Sequence, residues 1–492
     1  MLDDQHLKLS IAPRFSKAFL ARRALQTRMA QLQHIEQSPY MHSAEDDENA
    51  ELFSAVLSTL DREELPLLAS AILQRLQPPY QTTHAKPSVG KPLYGSYHIL
   101  FPLTFAMGLH WIAKIPVNGT ASKWDELSAS ALTSEANTMR LLKRETTIPL
   151  PDVLDFSSTT QNTLRCPYII MTFISGIPLY DVWFGHRLNS ISPDTTHLRR
   201  IRSLKSIASA MVQLDRFSFR TGGRLVFGSN GNPSDIKSTR RVDHKAMLDR
   251  WFIHKDPDDD PIYIECAASG DTKAYYTLML DIHPEQNPVP EGLAMLLRQL
   301  ISWISEPSRM DPFVLAHPDF DIQNFIVSEE GELRGIIDWD GVAAVPRTLG
   351  NERYPGWLTR DWDPAMYGYK ESMEHGVEPE GVWEDSPECL AYYRNIYDGI
   401  MARHRTERRR GSEGNLCRVS LITENLAIAV DDPRCRNAIL RKMVHEIWTA
   451  AGGGEQPDLT DLADMFAEGN MDVVVIETLY RGFNTLLSKK EL

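Results

Sequence analysis

Hydrophobic positions divide the chain into three stretches with different periods. In the first, residues 1–85, apolar side chains recur at the spacing of α-helices. These positions are Leu52, Phe53, Val56, Leu57 and Leu60, followed by Leu65, Leu68, Ile72 and Leu76. Pro78 and Pro79 then end the pattern, because proline lacks the N–H that a helix interior uses. We therefore expect a helical N-terminal extension.

The second stretch, residues 86–175, changes to the shorter period of β-strands. Aromatic and β-branched residues over 97–105 and 109–115, separated by a glycine-containing turn, predict a β-hairpin. Helical spacing returns over 127–144, and another apolar strand is expected over 168–174. Short strands with one inserted helix predict a compact N-lobe of mixed type.

The third stretch, residues 176–492, is mainly helical. Apolar stripes at helical spacing run through 198–212 and 293–304. Four further helices are expected, at 388–404, 418–430, 436–451 and 472–488. The three stretches together predict an α+β fold with a small β-rich N-lobe, a large and mainly helical C-lobe, and a helical extension in front.

The composition is that of a folded and acidic protein. The 492 residues are 42% hydrophobic, and 52 basic against 66 acidic side chains give a net charge of −14. We expect no nucleic-acid partner, because proteins that bind nucleic acid usually carry a basic surface. No apolar run approaches the roughly 18–20 residues that span a bilayer, so no membrane partner is expected either.

The cysteines and the N-terminal residues give information about the cellular location of the protein. Five scattered cysteines without a CxxC pair favour inert thiols in a reducing environment over a zinc site or a disulfide framework. Asp3 and Asp4 precede any apolar run, which is not the pattern of a secretory signal. The basic stretch 14–23 is amphipathic as transit peptides are, but the early acids favour a solvated helix face. We expect a cytoplasmic protein, with mitochondrial targeting as the alternative.

A polar loop between two short apolar strands carries the clearest chemical pattern. The strands are expected at 313–316 and 325–327, and a third strand, 335–337, ends at Asp338. The loop follows the spacing H-x-D-x-x-x-x-N of a kinase catalytic loop with His317, Asp319 and Asn324. The strand–loop–strand frame is expected to bring the polar side chains together at one edge.

Phosphoryl transfer explains these residue types. Asn324 and Asp338 offer hard oxygen ligands, which suit Mg²⁺. Asp319 would accept or orient the proton of the acceptor hydroxyl. His317 completes the predicted catalytic set, more as a residue that braces the loop than as an acid–base group. The alternative is a chance match, which the flanking strands make less plausible.

The remaining parts of a nucleotide site are expected upstream. Lys114 lies on the second hairpin strand among apolar neighbours, and Glu135, on the following helix, could pair with it and fix its direction. No G-x-G-x-x-G precedes the hairpin; Gly95 and Ser96 are the candidates for covering phosphates with backbone N–H groups. The order of hairpin lysine, helix glutamate, strand, catalytic loop and metal-binding aspartate is the order found in kinases.

These residues resemble the aminoglycoside phosphotransferase family, also called choline/aminoglycoside kinase-like, and its fungal members in particular. The family pattern is His-Gly-Asp, a few residues, Asn, a strand, and then Ile-Asp-Trp followed by Glu or Asp. This chain has Pro318 in place of the glycine, and residues 337–340 read Ile-Asp-Trp-Asp. The resemblance covers about residues 85–365 and implies a protein-kinase-like fold.

The resemblance also implies ATP and Mg²⁺ as cofactors. Lys114 matches the lysine that contacts phosphates, and Glu135 matches its partner. The strand with Met171, Thr172 and Phe173 matches the hinge, where adenine pairs with backbone groups; Thr172 stands where the family often has glutamate. No Ala-Pro-Glu signature follows Asp338, which favours a small-molecule hydroxyl acceptor over a protein.

The sequence leaves three other functions open. A catalytically inactive nucleotide-binding protein is the main alternative, because the glycine loop is unusual. A protein kinase and a metal hydrolase are less favoured. The acidic net charge and the segment 360–364 are compatible with a cationic acceptor such as an amino sugar or amino alcohol. The extension and an insertion at 228–290 exceed a minimal kinase, and either could form a lid or an interface.

Overall fold

The computed structural model describes most of the chain. Its described residues are 51–76, 86–106, 108–256, 260–305, 310–407 and 416–488. The predicted helical pattern within 1–50, the end of the extension at 77–85 and the basic stretch 14–23 lie outside them. The division of the chain at residues 85 and 175 stays a prediction.

The secondary structure combines short strands with longer helices. The strands are β1 Ser88–Val89, β2 Leu93–Tyr94, β3 His98–Thr104, β4 His110–Pro116, β5 Val153–Ser157, β6 Tyr168–Thr172, β7 Ile177–Pro178, β8 Ser218–Phe219, β9 Arg224–Phe227, β10 Pro233–Lys237, β11 Thr239–Val242, β12 Tyr263–Cys266, β13 Phe313–Ala316, β14 Phe325–Val327, β15 Leu333–Ile336 and β16 Ala343–Pro346. The helices are α1 Ser54–Thr59, α2 Glu64–Leu76, α3 Glu126–Glu145, α4 Leu179–Trp183, α5 Gly185–Leu188, α6 Pro193–Met211, α7 His244–Phe252, α8 Thr272–Ile282, α9 Pro288–Ser302, α10 Pro387–Glu407, α11 Leu416–Asp431, α12 Pro433–Ala450, α13 Leu459–Glu468 and α14 Val473–Ser488.

The N-lobe is built on one antiparallel sheet. The strands follow the order β1-β3-β4-β6-β5, and β2 pairs with the part of β3 that β1 leaves unpaired. The predicted hairpin is confirmed as β3 and β4, and β4 lies at the centre of the sheet. Lys114 on β4 stands opposite Leu100 on β3 and Ile169 on β6. Its backbone is therefore held on both sides.

The two faces of this sheet belong to different hydrophobic cores. Ile169 on β6 packs into the main core, which α3 shares and which continues into the C-lobe. The next residue, Ile170, points to the other face, as the period of a strand requires. There it joins a second core, which the extension closes with the fully buried side chains of Phe53, Val56 and Leu65. The described part of the extension is therefore an outer layer of the N-lobe sheet.

The C-lobe surrounds a small β-structure with helices. Strands β13 and β16 pair antiparallel, as do β14 and β15. The predicted catalytic loop connects β13 to β14. The six predicted C-lobe helices are present as α6, α9, α10, α11, α12 and α14, whereas α13 was not predicted. This arrangement confirms the predicted two-lobe, protein-kinase-like α+β fold. Among the described residues, no helix combines the length and apolar character needed to cross a membrane.

The insertion at 228–290 has more structure than the sequence suggested. It contains β10, β11 and β12 together with α7 and α8. Strands β11 and β12 form an antiparallel pair in which Arg240 faces Glu265. These strands were missed because they are short and rich in charged residues, so they lack the apolar alternation that identifies a strand.

We expect the extension to stabilise the N-lobe through Phe53. Its side chain is fully buried, and its ring centroid lies 5.6 Å from that of Tyr94, directly before Gly95. Phe53→Ala should lower the free energy of unfolding by about 3–5 kcal/mol, as large-to-small changes in cores do. Leu67→Ala, in the same extension but 39% exposed, is the control and should cost less than about 1 kcal/mol. Equal small losses in denaturant titrations would contradict the packing described.

Candidate functional site

Lys114 joins the two lobes through a pair of carboxylates. Its Nζ donates to Glu135 Oε1 on α3 at 2.8 Å and to Asp338 Oδ1 beyond β15 at 3.0 Å. Burial alone would lower the pKa of Lys114, but the two carboxylates outweigh it and hold this pKa above its usual range. The ammonium group is therefore charged and points into the space between the lobes.

Asp338 is held in an unusual backbone conformation. Its φ angle is +60°, in the left-handed region that residues other than glycine seldom adopt. The neighbouring Trp339 is fully buried and donates from Nε1 to the carbonyl of Ile336 at 3.0 Å, which anchors the segment. The Asp338 side chain stays 49% exposed. Burial of its surroundings would raise the pKa of Asp338, but Lys114 outweighs it, so the carboxylate is ionised.

Asp319 and Asn324 are fixed to one another within the loop. The amide Nδ2 of Asn324 donates to the carbonyl oxygen of Asp319 at 2.7 Å and to its Oδ2 at 3.0 Å. Gln323 Nε2 donates to the same Oδ2 at 2.8 Å. The backbone N–H of Ile337 donates to the carbonyl of Asn324 at 3.0 Å, which ties this loop to the strand before Asp338. The carboxylate is thus oriented before any substrate arrives.

His317 holds the loop in place through a hydrogen bond and a ring contact. Its Nε2 donates to the carbonyl of Ile337 at 3.0 Å, and its ring packs edge-on against Trp339 at 4.6 Å between centroids. Only 2% of the residue is exposed, and burial lowers the pKa of His317 to about 4. The imidazole is therefore neutral near pH 7.

One cleft between the lobes brings together every predicted site residue except His317. We call it the interlobe cleft. The predicted residues that line it are Gly95, Ser96, Lys114, Glu135, Met171, Thr172, Phe173, Asp319, Asn324 and Asp338. The turn at its roof is closed by the N–H of Gly95, which donates to the carbonyl of His98 at 2.8 Å. The hydroxyl of Ser96 is buried without a hydrogen-bond partner in the described part of the chain.

Two backbone N–H groups of the hinge, the segment that contains Met171, Thr172 and Phe173, already donate to other parts of the protein. The N–H of Thr172 donates to the carbonyl of Asp152 at 3.0 Å, and that of Phe173 donates to the carbonyl of His110 at 3.0 Å. The hydroxyl of Thr172 accepts from the N–H of Asp152 at 2.8 Å. A ligand in the cleft would therefore pair with other backbone groups of the hinge, and Thr172 has a structural task that its sequence position did not reveal.

Two further cavities open from Asp319, away from the hinge. The aspartate cavity is bounded by Asp319, Asp338 and Asp340, together with His98 and Arg240. Asp340, His98 and Arg240 were not among the predicted site residues. Asp340 could have been found, because it is the second acid of the Asp-Trp-Asp run. Nothing in the sequence marked His98 or Arg240.

The C-lobe pocket is the second of these cavities. Its wall carries six carboxylates and four arginines among the described residues. Arg353 Nη1 donates to Glu424 Oε1 at 3.1 Å, and Arg360 pairs with Asp321. Of the acids in the predicted segment 360–364, Asp363 lines this pocket; Asp361 instead pairs with Arg394 at 2.6 Å.

Side chains alone form no metal site in the described part of the chain. The described residues contain no group of three or more His, Cys, Asp or Glu side chains placed to hold a metal ion. Asn324 and Asp338 nevertheless lie on the same cleft wall, and both offer the oxygen ligands that Mg²⁺ prefers. A metal at this position would need further oxygen ligands from a bound phosphate or from water.

The central part of the chain is similar to a known family of enzymes. Residues 110–348, just under half of the chain, match the phosphotransferase enzyme family. This range contains Lys114, the hinge strand and the catalytic loop, so the resemblance stated from the sequence is confirmed.

The curated relatives are distant and longer than the matched region. A subtelomeric hrmA-associated cluster protein of Aspergillus fumigatus is 22% identical over 335 residues, which are 56% of this chain and 61% of that protein. The altered inheritance of mitochondria protein 9 of Kluyveromyces lactis is 21% identical over 327 residues, which are 57% of this chain and 52% of that protein. The chain thus spans only about half to three fifths of the length of these two relatives.

The expected cytoplasmic location is wrong. The relatives from Kluyveromyces lactis and Eremothecium gossypii both carry names that identify them as mitochondrial proteins. The expectation rested on Asp3 and Asp4, which precede the basic stretch 14–23, and two nearby acids are weak evidence against a targeting segment.

Two solved structures of kinases or phosphotransferases are similar to this chain over most of its length, at low sequence identity. The ethanolamine kinase of Plasmodium vivax is 11% identical, with 90% of this chain and 98% of that chain covered at a TM-score of 0.36. An aminoglycoside-3'-phosphotransferase of type VIII is 14% identical, with 73% of this chain and 97% of that chain covered at a TM-score of 0.34.

We expect His317 to make the fold sensitive to acid. Its pKa is lowered to about 4 in the folded chain from 6.5 in the unfolded chain, so the unfolded chain binds the proton first as the pH falls. This destabilises the fold between pH 6.5 and 4, by up to about 3 kcal/mol. His317→Gln should therefore lose less stability than the native chain between pH 7 and pH 4, in denaturant titrations at both pH values. The exposed His375→Gln is the control, and an equal pH dependence in all three proteins would contradict the buried, neutral imidazole.

Proposed function

We propose that the protein is an ATP- and Mg²⁺-dependent kinase of a small-molecule hydroxyl group, because residues 110–348 match the model of the phosphotransferase enzyme family. The observation that carries the proposal is the position of Lys114. Its ammonium lies 2.8 Å from Glu135 and 3.0 Å from Asp338, in the cleft that Asp319 and Asn324 also line. A cation and hard oxygen ligands facing one cleft suit a nucleotide triphosphate with its metal.

The residues of the cleft can divide the work of holding ATP. The ammonium of Lys114 would contact the phosphates, while Glu135 keeps it directed. The buried hydroxyl of Ser96 would find its missing hydrogen-bond partner in a phosphate oxygen. Asn324 and Asp338 would hold Mg²⁺, which neutralises phosphate charge when it is bound. Hinge groups other than the N–H of Thr172 and Phe173 would pair with adenine.

Asp319 is suited to receive the acceptor hydroxyl. Hydrogen bonds from Gln323 and Asn324 fix its Oδ2, and the residue borders the interlobe cleft, the aspartate cavity and the C-lobe pocket. A hydroxyl in the C-lobe pocket could therefore reach Asp319 while the nucleotide lies on the other side. Accepting or orienting that proton is the task we assign to its carboxylate.

The charge of the C-lobe pocket favours a cationic acceptor. Burial removes water from around the carboxylates of Asp363, Glu424 and Asp431 and raises their pKa values. Glu424 Oε2 is buried and has no hydrogen-bond partner in the described residues. An ammonium group on the acceptor would supply both a partner and a compensating charge. This supports a small molecule that carries an amine as well as the hydroxyl.

The two aspartates should separate binding from transfer. Asp338→Asn removes a metal ligand, so stabilisation by Mg²⁺ and ATP in a thermal-shift assay should largely disappear. Asp319→Asn should keep that stabilisation, while ADP formation with a panel of amino sugars and amino alcohols falls by about 10² to 10⁴. Asp281→Asn, a 51% exposed aspartate on α8, is the control and should match the native chain in both assays.

The reverse pattern would show that the two roles are interchanged. Full activity in both variants would show that the loop 317–324 is only structural. If nucleotide stabilises the native chain but no acceptor leads to ADP formation, the protein would instead be a catalytically inactive nucleotide-binding protein. Peptides belong in the same acceptor panel, because transfer to them alone would overturn the small-molecule assignment.

A further inference from the structure

Arg240 is a buried cation that the insertion brings to the catalytic aspartates. It lies on β11, and only 7% of its side chain is exposed. The guanidinium stacks over the ring of Tyr263, with Cζ 4.1 Å from the ring centroid. Its Nη1 donates to Ser128 Oγ at 3.2 Å, and its Nη2 lies 3.5 Å from Asp340 Oδ2. The planar group is therefore oriented by three neighbours.

Arg240 faces an open space that is continuous with the reaction site. It lines the aspartate cavity, and Asp319 and Asp338 border both this cavity and the interlobe cleft. A triphosphate that contacts Lys114 in the cleft would direct its terminal phosphoryl group toward these two aspartates. Arg240 is on the wall that such a group would meet.

The guanidinium of Arg240 has more N–H donors than its two described hydrogen-bond contacts, with Ser128 and Asp340, use. Its ion pair with Asp340 is 3.5 Å long, whereas charge-assisted N–H···O bonds are usually about 2.7–2.9 Å. A guanidinium also carries five N–H donors in one plane, and phosphate oxygens match that geometry. A nearly buried arginine with a long ion pair is therefore suited to bind a phosphoryl group.

We propose that Arg240 binds the phosphoryl group during its transfer, so that the insertion completes the active site. This inference rests on the proposed function. In the step, the acceptor oxygen forms a bond to the γ-phosphorus while the bond from that phosphorus to the β–γ bridging oxygen breaks. The hydroxyl proton goes to Asp319, the bonding electrons leave with ADP, and Arg240 balances charge on the three remaining phosphoryl oxygens.

A purely positioning role is the competing explanation. Through Ser128, Arg240 is tied to the start of α3, the helix that carries Glu135, and through Asp340 it is tied to the segment after Asp338. If Arg240 acted only by holding α3, removing the Ser128 hydroxyl should reproduce the effect of removing the guanidinium. If Arg240 contacts the phosphoryl group, Ser128→Ala should have little effect.

The test compares Mg-ADP alone with Mg-ADP and aluminium fluoride, which mimics a phosphoryl group in transfer. In the native chain, aluminium fluoride should tighten ADP binding by at least about 10²-fold, as transition-state analogues do. We call this increase in ADP affinity the fluoride gain. Arg240→Ala should bind Mg-ADP within about threefold of the native chain but lose most of that fluoride gain. Arg240→Lys, which keeps the charge without the planar fork, should recover part of it. Ser128→Ala should keep the gain, and so should Arg220→Ala, a charge-matched control whose side chain is 75% exposed.

Each outcome decides the proposal. An unchanged fluoride gain in both Arg240→Ala and Arg240→Lys would overturn it, and the lysine variant answers the question if the alanine variant does not fold. A loss in Ser128→Ala equal to that in Arg240→Ala would assign Arg240 a positioning role instead. If Mg-ADP does not bind the native chain at all, the proposed function itself fails. Binding of Mg-ADP without any fluoride gain in the native chain would overturn the inference about Arg240 while leaving nucleotide binding intact.

Discussion

A single buried ammonium group sets the geometry of this protein. Lys114 comes from the central strand of the N-lobe sheet, while its two carboxylate partners lie 21 and 224 residues further along the chain. A charge this well buried is destabilising unless it is paired, so the fold must bring α3 and the end of β15 to the same place. The N-lobe sheet, the helix on its inner face and the C-lobe segment at Asp338 are thereby held in one arrangement.

That arrangement depends on support from both faces of the sheet. On the inner face, α3 is capped by Asp125, whose side chain accepts from the N–H of Ser128 at 2.7 Å. On the outer face, the extension replaces solvent with a second apolar core. Without that layer, β3 and β4 would expose the apolar side chains that alternate with Lys114. The extension therefore affects the cleft indirectly, by keeping the strand that carries the lysine in place.

The sequence predicted the parts of the site that have local signatures. Strands β13 and β14 begin and end where expected, because short apolar runs flank a polar loop with fixed spacing. The bounds of α3 were wrong by only one residue at each end, since its helical pattern is long and regular. The assignment of His317 to the catalytic set is the weak point, because a histidine that accepts a proton and one that braces a loop look alike in sequence.

What the sequence could not provide depends on contacts between distant segments. The outer layer formed by α1 and α2 arises from packing against β3, and no local pattern encodes the partner of an amphipathic helix. The position of Arg240 next to Asp340 is of the same kind, since 100 residues separate them. The hydrogen bond that commits the Thr172 hydroxyl to Asp152 could not be predicted either, because it depends on how β5 begins beside β6.

The backbone of Asp338 shows how the pairing of charges prepares the site for a ligand. A left-handed conformation at a residue with a side chain is strained, of the order of 1 kcal/mol or more, and it persists because Trp339 is locked in the core. The strain leaves the Asp338 carboxylate half exposed in the cleft, where Lys114 keeps it ionised. The same ion pair places the ammonium group of Lys114 in the cleft, where an anion could bind to it. A ligand that carries both a divalent cation and phosphates could bind each partner of this ion pair with opposite charge, and neither side chain would first have to change its protonation state.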